Sequence, residues 1–142
     1  MPGTFEPDDD AFEGTPLTPT RLAVVVGVGD VFIFSLIGYM VLENPAFGPI
    51  AGLLVGLGIY HTLPIFMQPA GLEAEHDDRD VSPVRAYHRL AAGFGFSIAG
   101  ILFFAMGMTD MDIVLGIPGA LVVAALVYLV AGFALPNAGL EN

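Results

Sequence analysis

Four apolar runs dominate this chain: Leu22 to Leu42, Ala46 to Met67, Leu90 to Thr109 and Ile113 to Leu135. Each is long enough to cross a bilayer as a helix, since about 30 Å of hydrocarbon takes about 20 mainly apolar residues. Lipid offers nothing to bond a free backbone N–H or C=O, so a spanning segment must close its hydrogen bonds internally, and a helix does so. With 55% hydrophobic and only 13% charged residues in 142, the chain also lacks the polar side chains to coat a soluble globule. An all-α membrane protein with four transmembrane helices is therefore expected.

The runs are arranged in an internally repeated order. At an offset of 68 residues Arg21-Leu22-Ala23 aligns with Arg89-Leu90-Ala91, Tyr60 with Tyr128, and Ala70-Gly71-Leu72-Glu73 with Ala138-Gly139-Leu140-Glu141, without a gap. Gly27/Gly95, Ile33/Ile101, Gly48/Gly116, Leu53/Leu121 and Val55/Val123 fall in the same register. Periodicity of this kind fixes architecture. The short connections at Glu43-Asn44-Pro45 and Asp110-Met111-Asp112 force antiparallel hairpins, so the expectation is two duplicated helical hairpins, 21–74 and 89–142. A two-span unit repeats with the same orientation in the membrane, about an axis along its normal. The 75–88 segment is expected to be a polar loop and residues 1–20 a disordered acidic tail.

Arg21 precedes the first run, and Arg79, Arg85 and Arg89 all lie between the second and third, on the same side of the membrane. The opposite loops carry no Lys or Arg. The positive-inside rule then puts both termini and the long loop in the cytoplasm, as in a multi-pass protein of the cell membrane. Glu6, Asp8, Asp9, Asp10 and Glu13 precede any base, the reverse of a signal-peptide start, so the first run is expected to stay as a helix.

A formal net charge of −11 argues against nucleic acid or anionic lipid as partners, since both would be repelled at ordinary ionic strength. The acid-rich, lysine-free composition resembles that of proteins from salt-loving archaea, where molar salt cuts the screening length to about 3 Å. Cysteine is absent, which removes disulfides and thiolate chemistry.

Small residues recur every fourth position in the second run, Gly48, Gly52 and Gly56, and in the fourth, Gly116, Ala120 and Ala124. Helices in lipid associate where small side chains let backbones approach, so both stripes read as packing seams, most simply against each other or, in a dimer, against a second copy. Gly93, Ser97, Gly100 and Gly107 make a weaker third seam.

Two ionisable residues break the repeat: Asp30, aligned with Ile98, and His61, aligned with Leu129. Counted from the ends of their runs they lie about 12 and 9 Å deep at 1.5 Å per residue, a spacing that allows them to meet. A charged group at such depth is costly, so an intramembrane carboxylate is a candidate site. Beside an imidazole it could pass a proton or hold a cation. The structural alternative is a polar clamp, with Asp30 bonded locally and His61 capping carbonyls freed by Pro64.

His61 and His88 invite a haem reading, but His88 precedes the third run and sits nearer the interface, so no cofactor is expected. The Glu73 to Asp80 loop lacks the spacing of a calcium-binding loop. Neither half carries a nucleophile elbow, a phosphate loop or an HExxH motif, and no enzyme is expected. The expectation is a non-enzymatic accessory or assembly subunit that meets lipid and other membrane subunits, or itself, through Gly/Ala faces, with a respiratory complex as one home. The alternative is a small transporter or cation-conducting oligomer using Asp30 and His61.

Overall fold

A computed structural model describes residues 18–67, 83–109 and 111–138. Four helices follow in order: α1 (Pro19–Val41), α2 (Phe47–Phe66), α3 (Pro83–Met106) and α4 (Ile113–Ala138), with a single 3₁₀ turn, Gly107–Thr109, after α3. All four are long and apolar enough to span a membrane. The acidic tail, Arg79 and the Glu73 to Asp80 run lie outside the described residues.

Helix ends depart from the apolar runs where side-chain chemistry, rather than hydropathy, decides them. Helix α1 begins at Pro19, inside the segment expected to be tail, because the Thr18 hydroxyl accepts the Arg21 backbone N–H at 3.3 Å and proline is pre-set for the first helical position. Similarly, α3 begins at Pro83, within the expected 75–88 loop, and carries Tyr87, His88 and Arg89 in its first turns. Hydropathy registers only the part of such a helix that is apolar. Helix α4 runs past Leu135 to Ala138. Before α2 and α4 the short connections are closed by side-chain oxygens. Asn44 Oδ1 accepts the Ala46 N–H at 3.1 Å, and Asp112 Oδ1 accepts the Val114 N–H at 2.8 Å.

The helices pack in chain order, α1 on α2, α2 on α3 and α3 on α4, and these are the principal interhelical contacts. The expectation that the second and fourth helices meet along their small-residue stripes is therefore corrected. Gly48, Gly52 and Gly56 are spent on α1: a Cβ on Gly52 would lie 2.7 Å from Val31 Cα and one on Gly56 2.6 Å from the Gly27 carbonyl oxygen, while Gly48 abuts Phe34 and Ser35. A second glycine face, about a quarter-turn away around α2, takes α3. There Gly58 meets Gly93 and Ser97, and Gly100 meets Ala51 and Val55. Helix α2 thus carries two backbone-close seams, and α4 is left to α3, with Gly95 against Ala124 and Gly116 against the Phe103 ring. The buried core is small: Leu42, Phe47, Ala51, Ala99, Phe103 and Ala120, with the Phe47 and Phe103 rings 4.7 Å apart.

Candidate functional site

The close contacts fix the register of α1 on α2. Gly27 faces Gly56, and Gly52 meets the Asp30–Val31 backbone. Extending that antiparallel register puts Asp30 level with Leu53 but His61 level with Leu22, a separation of about 12 Å along the axes. Their faces diverge as well, because nine residues from Gly52 at 100° each turn His61 about 180° away from the α1 seam.

The two residues are accordingly not brought together. His61 looks toward α3, its ring stacked on Phe96 at 6.1 Å and 15° and in edge contact with Tyr60 at 5.6 Å. Asp30 stays on α1. Each retains a buried polar atom, Asp30 Oδ2 and His61 Nδ1, without a hydrogen-bond partner among the described residues. Depth counted from the run ends had ignored the register, which the glycines set.

A polar pair that the sequence did not flag lies between α3 and α4. The Tyr128 hydroxyl and His88 Nδ1 share a hydrogen bond of 2.9 Å, and their rings stack at 6.0 Å. The tautomer of His88 decides which of them donates. In the sequence Tyr128 stands out only as the repeat partner of Tyr60. The available signal was that both residues fall at the same end of adjacent helices. His61 and His88 are held by different neighbours on different helices, and no group of three or more metal-ligating side chains occurs among the described residues.

Two apolar grooves flank these residues. One of about 290 Å³ runs between α3 and α4, lined by Ala92, Phe96, Leu121, Ala124, Ala125 and Tyr128. The other, of about 180 Å³, runs between α1 and α2 and is lined in part by Val24, Val28, Leu53, Gly56, Leu57 and Tyr60. Chemically the region offers an apolar trough with a tyrosine at one end, suited to an alkyl chain.

The remaining expected positions are structural in their placement. Gly48, Gly52, Gly56, Gly116, Ala120 and Ala124 all lie within or beside helix contacts. Arg21 and Arg89 lie in the first turns of α1 and α3, and Arg85 belongs to the first turn of α3. Comparison with protein-family models, curated proteins and solved structures finds no match to this chain, so the functional reading rests on its own residues.

Proposed function

We propose that the chain is a duplicated pair of transmembrane hairpins with both termini cytoplasmic, acting as a non-enzymatic accessory or assembly subunit of a larger membrane complex. Duplication is supported by geometry that recurs at the 68-residue offset. Gly27 on Gly56 is matched by Gly95 on Ala124, Ser35 on Gly48 by Phe103 on Gly116, and the Asn44 cap by the Asp112 cap. Orientation is supported by the sequence positions of the four arginines, one at the start of the first span and three between the second and third.

The subunit role is carried by one observation: the helices form an open row rather than a closed bundle. Only 6% and 11% of the apolar windows of α1 and α4 are buried, against 28% and 33% for α2 and α3. The outer helices are thus packed on one side only, and α1 carries an intramembrane carboxyl with an unpartnered oxygen. That oxygen is itself buried, so what α1 offers a neighbouring protein is its exposed apolar face. Extraction in mild detergent should co-purify a larger membrane complex, while a chain that always runs alone defeats the reading.

The unpartnered Asp30 Oδ2 and His61 Nδ1 also favour a second reading, a small conductor of protons or cations. Offset by about 12 Å along the axes and on diverging faces, the two could serve only as separate stations, each reached by a different ligand or proton carrier. Proton or cation flux in reconstituted vesicles that disappears in Asp30→Asn would establish this role; protein that never conducts excludes it.

A further inference from the structure

The two apolar grooves are equivalent in position but not in chemistry. Every residue lining the α3–α4 groove stands 68 positions after one lining the α1–α2 groove, so an alkyl chain would suit either. Phe96, however, stands where the first half has Val28, and His88, bonded to Tyr128, stands where it has Thr20. His61, replaced by Leu129 in the second half, stacks its ring on Phe96. Three positions at which the halves differ in aromatic or polar character therefore converge on one groove. Packing common to both hairpins does not account for them, because the first hairpin closes without Phe96 and His88 and the second without a counterpart of His61.

The α3–α4 groove is also the larger, about 290 against 180 Å³. A ring lines it from each helix, Phe96 from α3 and Tyr128 from α4, with Ala92, Ala124 and Ala125 leaving space between them. Each ring is itself stacked on a histidine, Phe96 on His61 at 15° and Tyr128 on His88 at 27°. The Tyr128 hydroxyl is the one polar side-chain group of the lining, and the 2.9 Å bond to His88 holds it. That end of the groove lies near the end of the spans, since His88 is the third residue of a span that begins at Ala86. Leu121 lies seven residues from Tyr128 toward the bilayer centre, about 10 Å at 1.5 Å per residue.

We propose that the α3–α4 groove binds a ring-headed lipid of the isoprenoid quinone class, with its ring against Phe96 and Tyr128, a carbonyl at the Tyr128–His88 pair and its tail running past Leu121 into the bilayer. Flat rings make offset and edge contacts with aromatic side chains that an alkyl chain does not. The pair matches both redox forms of such a head. With the proton on His88 Nδ1, the histidine donates to the tyrosine oxygen and the Tyr128 O–H donates to a quinone carbonyl; with Nδ1 unprotonated, Tyr128 donates to it and its oxygen accepts a quinol O–H. A phosphate headgroup would find no cation in the lining, and a bare chain would use neither the rings nor the hydroxyl. A neutral ligand also suits a chain of net charge −11. The site needs only the second hairpin and holds whether or not the chain joins a larger complex.

Native mass spectrometry of the full chain in detergent micelles tests the site, with decylubiquinone as probe and hexadecanol as a ringless control. Wild type should retain one decylubiquinone per chain and about tenfold less hexadecanol. Phe96→Val, which installs the residue of the first-half groove, should lower quinone retention about tenfold. Tyr128→Phe keeps the ring and loses the hydroxyl, and should lower it about fivefold. Ala125→Phe fills the groove from an exposed position and should abolish retention. Tyr60→Phe, the same change in the other groove, should bind like wild type. Equal retention of hexadecanol marks an ordinary chain-binding trough and overturns the proposal. A Tyr128→Phe or Ala125→Phe protein that binds like wild type, or a Tyr60→Phe protein that loses as much as Tyr128→Phe, overturns it as well. Circular dichroism matching wild type in each variant keeps a folding defect from mimicking these losses, and the exposed Ala125 position keeps the test open should Phe96→Val fail to fold.

Discussion

Gly56→Ala tests the claim that backbone contact, rather than apolar burial, holds α1 to α2. An alanine Cβ there would sit 2.6 Å from the Gly27 carbonyl oxygen, 3.0 Å from Gly27 Cα and 3.1 Å from its carbonyl carbon. All three atoms are backbone, so no side chain can swing aside and the helices must separate. Overpacking of this kind costs about 1–3 kcal/mol. Opposing it, glycine to alanine in a helix gains up to about 1 kcal/mol of propensity. Gly29 supplies the control, since a Cβ there meets nothing within 4 Å. The propensity gain is common to both variants, so their difference isolates the packing term at about 1–3 kcal/mol. Gly27→Ala, whose nearest contact is 3.0 Å from the Gly56 carbonyl oxygen, should fall between them. Reversible unfolding in mixed micelles, followed by circular dichroism, measures all three. If Gly56→Ala proves as stable as Gly29→Ala, the seam is looser than described and the register built on it fails, including the separation of Asp30 from His61.

Asn44→Ala and Asp112→Ala each remove an acceptor of a helix-start N–H and should cost about 1 kcal/mol apiece in the same unfolding assay; strongly unequal losses would count against equivalent hairpins. Tyr128→Phe deletes the bond to His88, at a cost of about 1 kcal/mol, whereas Tyr60→Phe, with no described hydroxyl partner, should be close to neutral. The chain has no cysteine, so single cysteines can report topology without a background. Ser82→Cys and Met111→Cys should label from opposite sides of the membrane with an impermeant maleimide, and labelling from one side excludes an even-handed pair of hairpins.

Much of the architecture was legible because lipid removes alternatives. A run such as Ile113 to Leu135 has no solution in hydrocarbon other than a helix, and Glu43-Asn44-Pro45 is too short for anything but a hairpin. What hydropathy could not give were the helix starts at Pro19 and Pro83, which depend on caps and fixed φ, and the choice of partner for each glycine face. Stripes at Gly48, Gly52 and Gly56 announce close packing without saying against what. Gly58 went unnoticed, since it lies outside that stripe, yet it places α3. The polar site was least legible. Depth within a run places Asp30 and His61 at similar levels, but interhelical register and helical face separate them, and both are properties of pairs of helices.

The α2–α3 contact is made by glycines that the 68-residue repeat does not carry over. Were the hairpins fully equivalent, the face of α4 corresponding to the α3-facing side of α2 could receive the corresponding face of α1 from a second copy, and the series would continue head to tail. The close approach of α2 and α3 depends on Gly58, Gly93 and Gly100. At the 68-residue offset these become Leu126, Val25 and Phe32, exposed by 56%, 61% and 72%. Branched and aromatic side chains there forbid the backbone contact that the glycines permit. Helices α1 and α4 therefore turn to the membrane surfaces suited to lipid tails or to a partner's larger side chains, and α1 adds to that face the exposed ring of Tyr39.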